Sequence, residues 1–301
     1  MTKKQAWVKA LRLRTLPLSL SGIILGSFIA KSKGFWDTTV FMLAILTTVL
    51  FQIVSNLAND LGDSLKGTDN DQRIGPTRAV QSGLITVQEM KIAVIFSAIL
   101  SFISASLLIY FGTQTLDVKM VWFYFALALI CVIAAITYTI GKKAYGYQGL
   151  GDLMVFLFFG WVSVMGVYPL FTKSMDVLLF LPASAIGLLS AAVLNLNNMR
   201  DIKNDKASQK KTLVVLLGSD LAKFYHAFLI LSAILCLGIY IHLSNQLWGY
   251  IGLIPFLVLF IHLRKVLATK DPKAFDPELK KVALITFAIA LLTSLGLNLN
   301  F

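Results

Sequence analysis

Charge is what this sequence has least of. Only 14% of its 301 residues are Asp, Glu, Lys or Arg, against roughly 25% in a soluble domain. The chain therefore reads as a polytopic membrane protein. Cysteine is nearly missing as well. Cys131 and Cys236 are the only two and both lie inside apolar runs, which excludes a disulfide framework and a thiolate metal centre. The three histidines, His226, His242 and His262, lack ligand spacing and point to packing or interfacial roles. No phosphate-cradling glycine loop, nucleophile elbow or zinc signature is present. No Gly/Ser-rich linker divides the chain, so residues 1–301 read as a single domain. The basic N-terminus leads into Leu16–Ala30 without a small-residue cleavage site, as in a retained first helix.

Hydrocarbon is abundant. Hydrophobic residues make up 57% of the chain, and a membrane span needs about 20 of them in succession. Nine segments qualify: 15–30, 38–59, 90–111, 119–140, 152–172, 176–197, 223–243, 246–263 and 280–300. The expected fold class is all-α, with nine transmembrane helices. The net charge of +12 sits in short loops between spans, which is a topology signal rather than a nucleic-acid patch, so no nucleic-acid partner is expected. With the N-terminus in the cytoplasm, alternation puts 23 of the 27 Lys and Arg residues inside and the C-terminus outside. Twelve of the fifteen acids fall on the same side.

Those acids are not scattered. The stretch from Gln52 to Gly83 leaves an apolar run and places Asn56, Asn59, Asp60, Asp63, Asp69 and Asp71 within sixteen residues, followed by Lys66, Arg73 and Arg78. A carboxylate at a membrane edge is costly unless it meets a partner. Asn59 and Asp63 stand four residues apart, and the end of the sixth span repeats the step at Asn197, Asp201 and Asp205. Residues at this spacing share one face of a helix. Two acidic faces repel unless cations bridge them. Mg2+ takes one or two carboxylates together with phosphate oxygens, so the pattern suits a diphosphate held between two helix ends. Lys66, Arg73, Arg78 and, after the second stripe, Lys206, Lys210 and Lys211 are then candidates for the outer oxygens. A third element on this side, Tyr138 to Asp152, supplies Lys142 and Lys143 with Tyr138, Tyr145 and Tyr147 in a short glycine-rich loop. It reads either as interfacial anchoring or as an aromatic-lined diphosphate site.

The segment NDLGDSLKGTD resembles the first aspartate-rich motif of the UbiA superfamily of intramembrane prenyltransferases, and NNMRDIKND followed by KKTL resembles the second. Within the superfamily, SNLANDLGDSLKGTDNDQRIGPTRAVQSG, YGYQGLGD and NLNNMRDIKND are most similar to the branch that acts on 1,4-dihydroxy-2-naphthoate. The resemblance covers residues 10–220. It implies a cavity opening sideways to membrane lipid, capped by two cytoplasmic loops, in a multi-pass protein of a bacterial inner membrane. It implies Mg2+ held by Asn59, Asp63, Asn197, Asp201 and Asp205, with Asp60 and Asp69 nearby, gripping a polyprenyl diphosphate. Asp63, Asp201 and Lys142 would be the central catalytic groups. Lys66, Arg73, Arg78, Lys142 and Lys211 would clamp the diphosphate, and Asn56, Tyr138, Tyr147 and Asp152 would line the aromatic pocket. The implied reaction is prenylation of the naphthoate with decarboxylation. The commonest third acid of the first motif falls on Gly67, with Asp69 two residues later, a departure shared by the naphthoate branch. Within the superfamily 4-hydroxybenzoate is the alternative acceptor. Outside it, a cation-coupled transporter also uses intramembrane acids, though near the bilayer midplane rather than at span ends.

Overall fold

The computed structural model describes residues 2–70 and 74–299; Asp71 and Arg73 lie outside them. Among these residues nine helical segments are long and apolar enough to cross a membrane, matching the nine expected. A short helix α1 (Lys3–Ala10) precedes the first span, and Thr2 and Gln5 form a reciprocal capping box at its start. The first span is α2 (Leu16–Ser32). Its Pro17 stands in the first turn, where a missing N–H breaks no helical bond, so the proline starts the span rather than kinking it.

The second span α3 (Thr38–Leu65) and the sixth, α8 (Phe180–Ala207), have 28 residues each. At about 1.5 Å per residue they reach ~42 Å, well beyond a hydrocarbon core of about 30 Å. Both were expected to end at 59 and 197. They instead continue as helices through their acidic stretches, because the polar side chains there find partners across the bundle. The third and fourth spans, α4 (Val87–Gly112) and α5 (Val118–Thr137), pair with α3. They turn Ile95, Phe96, Ile99, Trp122, Phe123 and Ile130 outward, more than half exposed, as a lipid-facing surface requires.

The fifth span is broken. It runs as α6 (Gly151–Val155), a π-helical segment (Phe156–Val162) and α7 (Ser163–Thr172). π segments arise where a helix accommodates an extra residue, often at functional sites. Two close approaches hold this one in the centre: a Cβ added at Gly160 would lie 2.5 Å from the Ala183 carbonyl of α8, and one at Gly26 of α2 would lie 2.6 Å from the Val164 carbonyl. The seventh span is α10 (Ser219–Leu243), preceded by the short α9 (Leu213–Leu217). The expected tight hairpin follows it, with Asn245 in the left-handed region. The eighth span differs from a plain helix. A 3-10 stretch over Leu247–Leu253 precedes α11 (Phe256–Ala268), where Pro255 lacks an N–H to continue an α-helical ladder. The ninth is α12 (Phe275–Gly296). His226, His262 and Glu278 join α10, α11 and α12 in a buried chain, with the two Nε2 atoms 2.8 Å apart and His262 Nδ1 2.6 Å from Glu278. This is the packing role expected of two of the histidines.

Candidate active site

One cavity of about 440 Å³ runs into the bundle from the end where α3 and α8 project. Its deep wall is apolar: Ala105, Ile109, Leu127, Ala128, Phe158, Phe159, Val162 and Leu170 among others. Its mouth is polar, and the helical period explains why. On α3, Gln52, Asn56, Asn59 and Asp63 fall on one face and all line the cavity. On α8 the same holds for Asn197, Arg200, Asp201, Asn204 and Asp205. The two stripes that the sequence pairs therefore meet across one opening.

Between them stands Lys210. Its Nζ lies 3.8 Å from Asp63 Oδ1 and 4.0 Å from Asp205 Oδ1, with all three side chains nearly buried. Tyr147 roofs the same carboxylate. Its hydroxyl donates to Asp63 Oδ1 at 2.7 Å and accepts from Thr68 Oγ1 at 2.6 Å. The ammonium of Lys66 lies 3.8 Å from the Tyr147 ring centroid, a cation–π contact, and the Lys211 amide donates to the Tyr147 carbonyl at 3.2 Å. Asn204 Nδ2 donates to the Thr68 carbonyl at 2.9 Å. Tyr147 thus ties together the three loops that follow α3, α5 and α8. Burial raises its phenol above the usual tyrosine range, with the Asp63 charge adding to the effect, so it stays a proton donor to that carboxylate. Burial lowers the Lys66 pKa, and Asp63 opposes the shift.

Arg78 also lines the cavity. Burial, then repulsion from Arg12, pushes its guanidinium down to about 10 while Asp60 and Asp69 pull the other way; it remains a cation at neutral pH. Asp60, expected near the metal, is not part of the wall. It accepts from Arg12 Nη2 at 2.9 Å and the Ala79 amide at 3.2 Å, with Arg78 Nε at 3.4 Å, and so anchors the basic residues. The Asp69 side chain is fully buried, with Oδ1 3.7 Å from the same Arg78 Nε. Asp201 receives a forked contact from Arg200, at 3.0 Å from Nε and 2.6 Å from Nη2.

Of the expected aromatic pocket, Asn56 and Tyr138 line the cavity, whereas Tyr147 caps the acids and Asp152 is buried beside Tyr225. Lys142 and Lys211 are exposed and outside the wall, while Lys210 and Arg78 line it, because the loop after α5 brings Tyr147, not Lys142, over the acids. Arg73 lies outside the described residues. Sequence reasoning counted Arg12 and Arg14 only as topology signals, yet both line the mouth. Arg12 reaches Asp60 across 48 positions, a contact no local pattern announces.

The donor set fits a hard divalent cation. Asn59 lines the cavity, and its buried Oδ1 has no hydrogen-bond partner among the described residues. Asp63 and Asp205 already share a positive charge. Among the described residues no three acidic, His or Cys side chains converge on a metal position by themselves. Mg2+ typically takes only one or two protein carboxylates, the rest of its octahedron being phosphate oxygens and water.

The profile of the UbiA prenyltransferase family matches residues 19–285. The 1,4-dihydroxy-2-naphthoate octaprenyltransferase of Escherichia coli (strain K12) is 44% identical over 301 residues, covering 100% of this chain and 97% of that protein. Its Haemophilus influenzae counterpart is 40% identical over 299 residues, covering 98% and 96%. Among solved structures, a UbiA homolog from Aeropyrum pernix K1 superposes with a TM-score of 0.69 at 16% identity, covering 93% and 96% of the two chains. One from Archaeoglobus fulgidus bound to DMAPP and Mg2+ gives 0.59 at 16%, covering 94% and 98%.

Proposed function

The chain belongs to the UbiA prenyltransferase family, and from that membership we propose that it transfers a polyprenyl group from its diphosphate to 1,4-dihydroxy-2-naphthoate, with loss of CO2, to give demethylmenaquinol. The observation that carries the reading is the cavity itself: two amide-and-carboxylate helix faces and several cations at the mouth, hydrocarbon below. The diphosphate of the donor fits the mouth, and its isoprenoid tail fits the apolar wall. The same reading makes the nine spans one working unit of a bacterial inner membrane, with the acid end at the cytoplasmic face where 23 of 27 Lys and Arg residues gather.

Mg2+, when bound, would be held by Asn59, Asp63, Asp205 and Asp201 and would supply positive charge against that developing on the leaving diphosphate. Lys210 and Arg78 supply further positive charge to the same oxygens. Tyr147 orients Asp63 by donating to it. As the allylic C–O bond breaks, the electron pair leaves with the diphosphate and C1 of the prenyl group becomes cationic. Phe158, Phe159 and Val162 keep water from that carbon, and aromatic faces attract a cation. The naphthoate ring carbon that bears the carboxylate then bonds to C1. Cleavage of its bond to the carboxylate returns the electron pair to the ring and releases CO2.

Purified protein incubated with radiolabelled polyprenyl diphosphate, Mg2+ and either aromatic acid tests this. Product from dihydroxynaphthoate and none from 4-hydroxybenzoate is expected. Transfer to 4-hydroxybenzoate alone would overturn the acceptor, and transfer to neither would favour an ion-coupled transporter. Asp63→Ala and Asp201→Ala should each abolish transfer while the protein remains folded in detergent.

A further inference from the structure

The two acidic motifs leave one acid at the mouth without a role. Asp276 stands in the first turn of α12, far in sequence from either motif. It lines the cavity, and its side chain is 44% exposed. Its Oδ1 accepts from Arg200 Nη1 at 2.5 Å. Arg200 is only 2% exposed, and all three of its nitrogens are engaged. Nε and Nη2 fork onto Asp201, Nη2 also donates to Asn197 Oδ1 at 2.9 Å, and Nη1 holds Asp276.

A forked guanidinium–carboxylate pair is among the strongest in proteins. Alone with Arg200, Asp201 would be neutralised and a poor ligand for a divalent cation. A second carboxylate on the same guanidinium changes the charge count: one cation shared by two anions leaves one negative charge at the mouth. It also fixes the plane of the guanidinium, and through it the direction of the Asp201 oxygens. Asp276 also stands in the first turn of α12, where the helix N-terminus attracts a carboxylate.

We propose that Asp276 is a positioning residue that, acting through Arg200, sets the residual charge and orientation of Asp201. The ninth span then completes a divalent-cation site otherwise built from the second and sixth. The inference rests on the proposed function only in taking the acid stripes as a site for a metal–diphosphate; the aromatic acceptor plays no part in it.

The test is Mn2+ binding by the full-length protein in detergent with inorganic diphosphate present, followed by electron paramagnetic resonance. Partners outside the ligand shell typically change metal affinity by about 10–100-fold. Asp276→Asn should therefore weaken Mn2+ binding about tenfold or more, and Asp276→Glu should restore most of it. In an Arg200→Gln background, Asp276→Asn should have little further effect, since the coupling runs through the guanidinium. Asp276→Ala serves the same comparison if the asparagine variant does not fold. Unchanged Mn2+ affinity in Asp276→Asn overturns the proposal. An equal loss with and without Arg200 overturns it too, because Asp276 would then act directly, and so does a wild-type protein that binds no Mn2+. A wild type that fails to prenylate dihydroxynaphthoate but shows the coupling removes the proposed function and leaves this inference standing.

Discussion

Lys210 stands where a cation must stand if Asp63 and Asp205 are to face each other, so its removal should reveal what it balances. At 3.8 and 4.0 Å each attraction is worth about 4 kcal/mol in an effective dielectric near 20. Desolvation of the buried ions offsets much of that gain. Removing one member of a buried pair nevertheless costs about 3–5 kcal/mol, because the partner charges stay buried without it. We expect Lys210→Gln, which keeps much of the side-chain volume, to destabilise the protein by about 3 kcal/mol in metal-free buffer. At about 2.1 cal/mol/K of unfolding entropy per residue, a chain of this size would lose roughly 5 °C in melting temperature. A divalent cation can replace the lost charge, and at 100 times its Kd a ligand restores about 2.7 kcal/mol. Melting in detergent, with and without MgCl2, should show a larger Mg2+-dependent rise in Lys210→Gln than in wild type. Transfer should not recover, since the proposed function also makes Lys210 a diphosphate contact, and the donor KM should stay raised at saturating Mg2+. A variant that melts like wild type without metal, or gains no more from Mg2+, would refute the reasoning.

Lys142→Ala and Lys211→Ala should each leave transfer within about threefold of wild type, because both side chains are exposed and surface charges act weakly, whereas Arg78→Ala should raise the donor KM by tenfold or more, a charge-assisted contact being worth about 1.5–3 kcal/mol; initial rates against donor concentration separate them. Tyr147→Phe removes the donor to Asp63 but keeps the ring under Lys66. By the same magnitude kcat/KM should fall by about tenfold or more, and a wild-type value would show that the cap does not orient the acid. Gly160→Ala places a Cβ 2.5 Å from the Ala183 carbonyl, so the melting temperature should fall by several degrees through a cost of about 1–3 kcal/mol for overpacking.

The parts of this molecule that were legible in its sequence are those written in a single helical period. Nine apolar runs give nine spans, and the four-residue steps Asn59–Asp63 and Asn197–Asp201–Asp205 place the acids on the faces that meet at the cavity mouth. What was not legible depends on which loop residue a turn delivers. Lys142 and Tyr147 sit five residues apart in one loop; composition left that loop open between interfacial anchoring and a diphosphate site, and only the family resemblance favoured the lysine as a phosphate ligand. The turn instead buries the tyrosine over Asp63, fixed by the Lys211 amide and the Thr68 hydroxyl, and leaves the lysine in water. Asp60 misled for a related reason. It lies only one position beyond Asn59, but one position is about 100° around a helix, enough to turn its carboxylate from the cavity to Arg12 and the Ala79 amide. Arg200 shows the converse. Three residues beyond Asn197 and one before Asp201, it carried an address on the cavity face from the start, yet its partner Asp276 is 76 positions away. The acids of a helical stripe are therefore a sequence property, while the cations that balance them are a property of the packed bundle. Charge balance at this mouth must be worked out from the fold, residue by residue, before a role is assigned to any basic side chain near it.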